Sequence, residues 1–87
     1  DYAQLEFRVA GFLADDRQVY ADVKNEVDVH SYTARILGVS RQKAKSDTFK
    51  PLYGGTLGTP KQMRYYRAFK NKYTGITRWH RQLQGCL

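Results

Sequence analysis

Apolar residues fall at helical spacing along most of this chain, and polar punctuation divides them into separate segments. Leu5, Val9, Phe12 and Leu13 form one stripe over residues 4–14, with Glu6 and Arg8 off it, and Asp15 and Asp16 end the pattern. A short helix is predicted over residues 17–24, with Val19, Tyr20 and Val23 on one side; Asn25 and Glu26 make the next break. Asp28 is placed to cap a third helix whose first turn is Val29, His30 and Ser31. In that helix Ala34 and Leu37 lie on one side, Thr33 and Ile36 adjoin them, and Gly38 suits the left-handed exit. Ser40 caps a fourth helix, but Pro51 lacks the amide to continue it, so a kink or end is expected over residues 48–51. Gly54, Gly55 and Gly58 then make a turn.

The next helix has the plainest start, with Thr59 as cap, Pro60 in the first position and Gln62 completing a capping box. Met63, Tyr66, Phe69, Lys70 and Tyr73 follow its pattern, and Gly75 is expected to stop it after Tyr73 or Thr74. A final helix over residues 77–84 would pack through Ile76, Trp79 and Leu83. The fold class is therefore mainly α, without repeats or low-complexity segments.

Within residues 41–55, RQKAKSDTFKPLYGG, the positions Arg41, Lys45, Phe49 and Tyr53 recur every four residues. On a helix they form one row, about 6 Å per step. A core stripe would not begin with two cations, and a solvated face would not end in two aromatic rings. A row cationic at one end and aromatic at the other suits a ligand with phosphates at one end and a flat base at the other, namely a nucleotide. The plain alternative is an amphipathic helix whose lysines snorkel over a core. Arg41 and Lys43 in a first turn oppose the helix dipole, which an external anion would relieve. His30 also stands in a first turn, where free amides favour anions.

Charge sharpens this picture. The net charge is +7, yet all eight acidic residues lie in residues 1–47. Residues 48–87 carry eight Lys or Arg and no acid, an asymmetry that favours a polyanionic partner. Eighty-seven residues allow one small domain. No apolar run approaches a membrane span, and Cys86 stands alone, so the expected setting is the reducing cytoplasm, with no membrane.

Three motifs together resemble family A (polymerase I-like) DNA polymerases, most closely a bacteriophage-type branch. DYAQLEFR at residues 1–8 is similar to that family's D-Y-S-Q-x-E-x-R palm motif, and DVHSYTA at residues 28–34 to its D-x-H-x-x-T-A segment. Residues 41–54 match its fingers helix, R-x3-K-x3-F-x3-Y-G. The motifs stand in the family's order over residues 1–55; residues 56–87 fit more loosely. Lys50 and Pro51 depart from the small or apolar residues of many relatives.

The resemblance implies a helical fingers-region fragment of a larger α/β palm–fingers–thumb polymerase. Residues 1–14 would be palm-derived and residues 15–87 part of the fingers. It implies primer-template DNA and deoxynucleoside triphosphates as partners, together with the remainder of the palm and thumb. If phage-borne, the gene would act in the bacterial cytoplasm. Two Mg²⁺ ions would serve the full-length enzyme, with Asp1 and the Tyr2 backbone carbonyl among their ligands. Arg41 would reach the terminal phosphate, His30 the β-phosphate and Lys45 the α-phosphate, where positive charge helps as negative charge develops. Phe49 would lie against sugar and base, with Tyr53 and Gly54 on the template side. Glu6 would pair with Tyr53 and close the space of a ribose 2′-hydroxyl, Gln4 would support the pocket, and Arg8 would be structural or DNA-facing.

The abrupt start on Asp1, without the strand that precedes it in the family, is expected of a fragment. A second catalytic aspartate in an H-D-E-like motif does not follow residue 55. Two alternatives stand beside this reading: a non-catalytic basic helical module that binds nucleic acid, and a single-subunit RNA polymerase fragment, against which Glu6 argues. The isolated chain is expected to give no measurable template-directed synthesis. Primer extension with Mg²⁺ or Mn²⁺ checks this, and incorporation surviving Asp1→Ala would contradict the role given to Asp1.

Overall fold

Local capping chemistry sets nearly every element boundary. The computed structural model describes residues 2–54 and 57–85; the expectations placed on Asp1, Gly55 and Cys86 lie outside them. In chain order the elements are α1 (Tyr2–Leu13), α2 (Arg17–Lys24), α3 (Val29–Leu37), α4 (Arg41–Thr48), a 3₁₀ helix (Lys50–Tyr53), α5 (Pro60–Lys72) and α6 (Thr74–Gly85). The chain is mainly α, and no strand occurs among the described residues. No helix is long and apolar enough to cross a membrane.

Asp16 caps α2 by accepting from the Gln18 and Val19 amides at 3.0 Å each. Asp28 caps α3, Ser40 caps α4, and Thr59 and Gln62 form the reciprocal box at α5. Gly38 leaves α3 at φ 69°, a conformation that glycine enters without a Cβ penalty. Pro51 has the expected effect: α4 stops at Thr48, and the chain continues as a 3₁₀ helix instead.

An aromatic cluster forms the core. Phe7 of α1 lies 5.3 Å from Phe49 and 5.1 Å from Tyr73 between ring centroids, and Phe69 lies 4.8 Å from Tyr73. Most of these pairs are tilted or edge-on, the arrangement the ring quadrupoles favour. Tyr65 is fully buried and donates its hydroxyl to the Thr48 carbonyl at 2.6 Å. Tyr73 donates to buried Asp22 at 2.7 Å, and Lys72 approaches the same carboxylate at 3.2 Å.

Packing expectations are corrected at Met63 and Leu83, whereas the stripe of Leu5, Val9, Phe12 and Leu13 leaves apolar surface exposed, with Phe12 at 72%. Phe7, Ala10 and Gly11 turn inward, with Ala3 and Ala14 packed beside them. Positions 3, 7, 10 and 14 share the same helical period, and their small residues let α2 come close. A Cβ on Gly11 would sit 2.4 Å from Val19 Cγ1. On α5, Tyr65 is buried while Met63 stays exposed, and on α6 Leu83 is exposed.

Gly75 does not separate the last two helices by flexibility. Tyr73 ends α5, and α6 starts at once on Thr74. Gly75 is buried in that first turn, where a Cβ would meet the Asp16 Cα at 2.7 Å. The close approach allows Asp16 Oδ2 to accept from the Ile76 amide at 2.8 Å. One buried carboxylate thus serves the starts of two helices.

Asp16→Ala should destabilise the chain by about 2–4 kcal/mol, because it removes two caps and strands buried amides. Asp15→Asn, at an exposed residue with φ 50°, should stay within about 0.5 kcal/mol. Urea unfolding of both variants checks the contrast.

Candidate functional site

The α3–α4 pair carries most of the cations and polar groups that the sequence singled out. Asp28 does two things at the start of α3. Its carboxylate accepts from the Ser31 amide at 3.3 Å and hydroxyl at 2.9 Å, and Arg41 Nε donates to it at 2.8 Å. Both members of this ion pair are nearly half exposed. The Arg41 hydrogen bond holds the Asp28 carboxyl well below the usual carboxylate range, and the same bond raises Arg41. The anion relieving Arg41 in the first turn of α4 is therefore supplied from within the chain.

His30 is buried at 2% exposure, with the Phe49 ring edge-on at 5.4 Å. Thr48 donates its one hydroxyl proton to the Ala44 carbonyl at 2.9 Å. The Thr48 hydroxyl oxygen also lies 2.9 Å from His30 Nδ1, so one hydroxyl ties the imidazole to α4. Burial pushes the His30 pKa below its ordinary 6.5, and the charges of Arg41 and Lys45 add to that; Asp28 opposes them. Arg41, Lys45 and Asp28 therefore all act on one imidazole.

The four-residue row is continuous only through its cations. Arg41 and Lys45 are exposed on α4, whereas Phe49 is the residue that ends it, at φ −107° and with its ring 5% exposed in the core. Tyr53 lies on the 3₁₀ helix and is 66% exposed. Gly54 follows at φ 86°, with open space where a Cβ would stand.

Two recesses collect the remaining candidates. Gln4, Arg8, Asp28, Arg41 and Phe49 wall a cleft of about 320 Å³. Glu6 and Tyr53 line a separate, more apolar groove with Leu5, Val9, Leu52 and Trp79. Tyr2 opens α1, while Asp1 lies outside the described residues. Among the described residues no group of three His, Cys, Asp or Glu side chains could hold a metal ion.

Sequence reasoning missed the roles of Asp22 and Thr48, and the pairing of Asp28 with Arg41. Asp28 was legible as a cap, but its second partner stands 13 residues away. Thr48 meets His30 across 18 residues, and Asp22 meets Tyr73 across 51. No local spacing signals such contacts.

The His30 environment predicts an acid-sensitive fold. Because the folded-state pKa lies below the ordinary 6.5, the folded chain binds fewer protons than the unfolded one in that window. This contribution to stability is complete above pH 6.5 and is lost as pH falls toward the depressed value. His80 is shifted in the same direction. Asp28 adds a separate loss only below its ordinary 3.8. Denaturant unfolding across pH should show a shallower slope just below 6.5 in His30→Gln than in the parent, with the His80 share retained.

The chain is 30% identical to a DNA polymerase of Mycobacterium phage L5 over 92 aligned residues, covering 95% of the chain and 16% of that protein. It is 35% identical to DNA polymerase I of Caldicellulosiruptor bescii over 63 residues, covering 62% of the chain and 7% of that protein. No family model and no solved structure matches the chain. The chain spans less than a fifth of either curated relative, and within that span it is related to DNA polymerases.

Proposed function

We propose that this chain is the nucleotide-gripping part of a family A DNA polymerase, which extends a primer 3′ end with deoxynucleotides. The observation that carries this reading is the pair of exposed cations Arg41 and Lys45 one turn apart on α4, a helix whose last residue Thr48 meets buried His30, with Gln4, Arg41 and Phe49 on one cleft. Two cations and a nearby imidazole suit a triphosphate, which offers several oxygen acceptors along one line. An incoming phosphate competes with Asp28 for Arg41, so the Asp28 pair keeps the guanidinium positioned until the nucleotide arrives. Lys45, exposed and one helical turn further on, meets the phosphate nearest the reacting bond. Its charge then matches the negative charge that develops there.

Phe49 supplies the apolar wall of the same cleft and holds the His30 ring from behind. Glu6 and Tyr53, on their shared groove, are the pair that would exclude a 2′-hydroxyl, with Gly54 leaving room for the template. In the complete polymerase Asp1 and the Tyr2 carbonyl would hold Mg²⁺ together with carboxylates from other segments, for two-metal phosphoryl transfer. The exposed stripe of Leu5, Val9, Phe12 and Leu13 fits cover by the rest of that polymerase; Asp1 alone cannot hold a two-metal site, so the isolated chain should be inactive.

A polymerase carrying this segment tests the reading through Phe49 and Lys45. Phe49→Tyr should admit dideoxynucleotides by offering a hydroxyl where the substrate lacks its own. The ratio of kcat/KM for deoxy- over dideoxynucleotide should fall roughly 5- to 150-fold, the worth of about 1–3 kcal/mol. Lys45→Ala should depress both substrates together. An unchanged ratio in a folded, active Phe49→Tyr enzyme would make Phe49 a packing residue only.

A further inference from the structure

Arg8 is a cation of the nucleotide cleft to which the proposed function gives no task. It stands one turn after Gln4 on α1, and both side chains line the cleft together with Asp28 and Arg41. Arg8 is exposed, and the ion pairs among the described residues engage Arg41, Lys50 and Lys72 but not Arg8. Three carboxylates line the same cleft, those of Asp22, Glu26 and Asp28. Asp22 is buried and satisfied, accepting from Tyr73 at 2.7 Å and Gln18 at 2.9 Å, with Lys72 at 3.2 Å. Glu26 is exposed and belongs to none of those ion pairs, so a nucleotide on Arg41 takes no partner from it. Asp28 is the carboxylate whose cation the nucleotide claims.

Losing that cation leaves Asp28 in difficulty. Its Oδ2 accepts from Arg41 Nε at 2.8 Å and from the Ser31 hydroxyl at 2.9 Å, while Oδ1 accepts from the Ser31 amide at 3.3 Å. A phosphate on Arg41 leaves Oδ2 with the hydroxyl alone. The ordinary pKa of this carboxyl is 3.8, so at neutral pH it keeps its charge without Arg41. A bare carboxylate beside a triphosphate is a like-charge contact that opposes binding. Asp28 cannot turn away without giving up the cap of α3. The new partner must therefore come to it. Arg8 has a long, exposed side chain whose planar fork matches a carboxylate, and it already lines the same cleft.

We propose that Arg8 takes over the Asp28 carboxylate when a triphosphate takes Arg41, one guanidinium replacing the other at Oδ2. The inference rests on the reading of this cleft as a nucleotide site. Arg8 is then a positioning residue: it touches no part of the nucleotide and acts through Asp28. The exchange leaves neither the carboxylate nor the phosphate without a cation. Asp28 thus has a partner in both states, Arg41 in the free chain and Arg8 in the bound one, and keeps its cap throughout.

The test measures calorimetric affinity of the 87-residue chain for deoxyadenosine triphosphate and for inorganic tripolyphosphate at neutral pH. Arg8→Gln should weaken both about fivefold, the worth of an ion pair that stays near water, and Arg8→Lys should recover most of the loss. In Asp28→Asn, which keeps the cap, Arg8→Gln should change nothing further. Glu26→Gln should leave the Arg8 effect whole. The arginine Nε–Hε signals in NMR add a readout that packing alone does not move. Rotation of the Arg8 guanidinium should slow only with triphosphate bound and only with aspartate at position 28. An Arg8 effect undiminished in Asp28→Asn, its loss in Glu26→Gln, or an Arg8 signal unmoved by bound triphosphate would overturn the proposal and leave the nucleotide site standing. A parent chain that binds neither ligand would overturn the nucleotide reading and the exchange with it.

Discussion

The structure depends most on one buried carboxylate. Asp16 is 1% exposed, and its two oxygens accept from amides at the starts of α2 and α6, the latter 60 residues away. A buried carboxylate is costly unless several donors surround it, and helix N-termini supply aligned amides with a favourable dipole. The arrangement needs glycine at position 75, since any Cβ there would collide with the Asp16 backbone. It brings the N-terminal helix pair onto α6, and the Asp22–Tyr73 bond adds a second tie to the end of α5. Phe7 thereby reaches Phe49 and Tyr73, and Phe49 in turn backs His30. The candidate nucleotide residues are thus held by contacts far from them in sequence.

The two charged regions differ in how they are prepared. On α3 and α4 the leading cation is already paired, Arg41 with Asp28, and a phosphate must take it from a carboxylate. That exchange favours a ligand of high charge density over a single phosphodiester. Between α5 and α6, Lys70 and Arg81 face a cleft without carboxylates, where weaker anions meet less competition. The uneven charge of the two halves is thus matched by uneven pairing, Arg41 meeting a carboxylate and the cleft at Lys70 and Arg81 having none in its lining.

Local rules were the legible part of this fold. The caps at Asp28, Ser40 and Thr59 and the interruption at Pro51 depend on neighbours within a few residues, and the structure follows them. On α1 the large apolar residues, which usually mark a buried face, stay exposed. Here α2 approaches closely enough that only Gly11 fits beneath Val19, so the small-residue face turns inward. Gly75 misled for the same reason, since a glycine required by close packing has the sequence signature of a helix stop. In the site, Arg41 and Lys45 were legible by spacing. The Thr48 hydroxyl bonded to His30 was not, because it is a tertiary contact between ordinary side chains.

The central claim is that His30, Arg41 and Lys45 form one anion-binding unit, and the His30 pKa reads it directly. Its depression comes from burial together with the two cations. A triphosphate seated between them would offset those charges and favour the imidazolium. The measurement is an NMR pH titration of His30 with and without a saturating deoxynucleoside triphosphate, with His80 as internal control. The account predicts that the His30 pKa rises on binding, that Lys45→Ala reduces the rise, and that His80 stays where it was. A bound triphosphate that leaves His30 unmoved, or moves His80 instead, would contradict it.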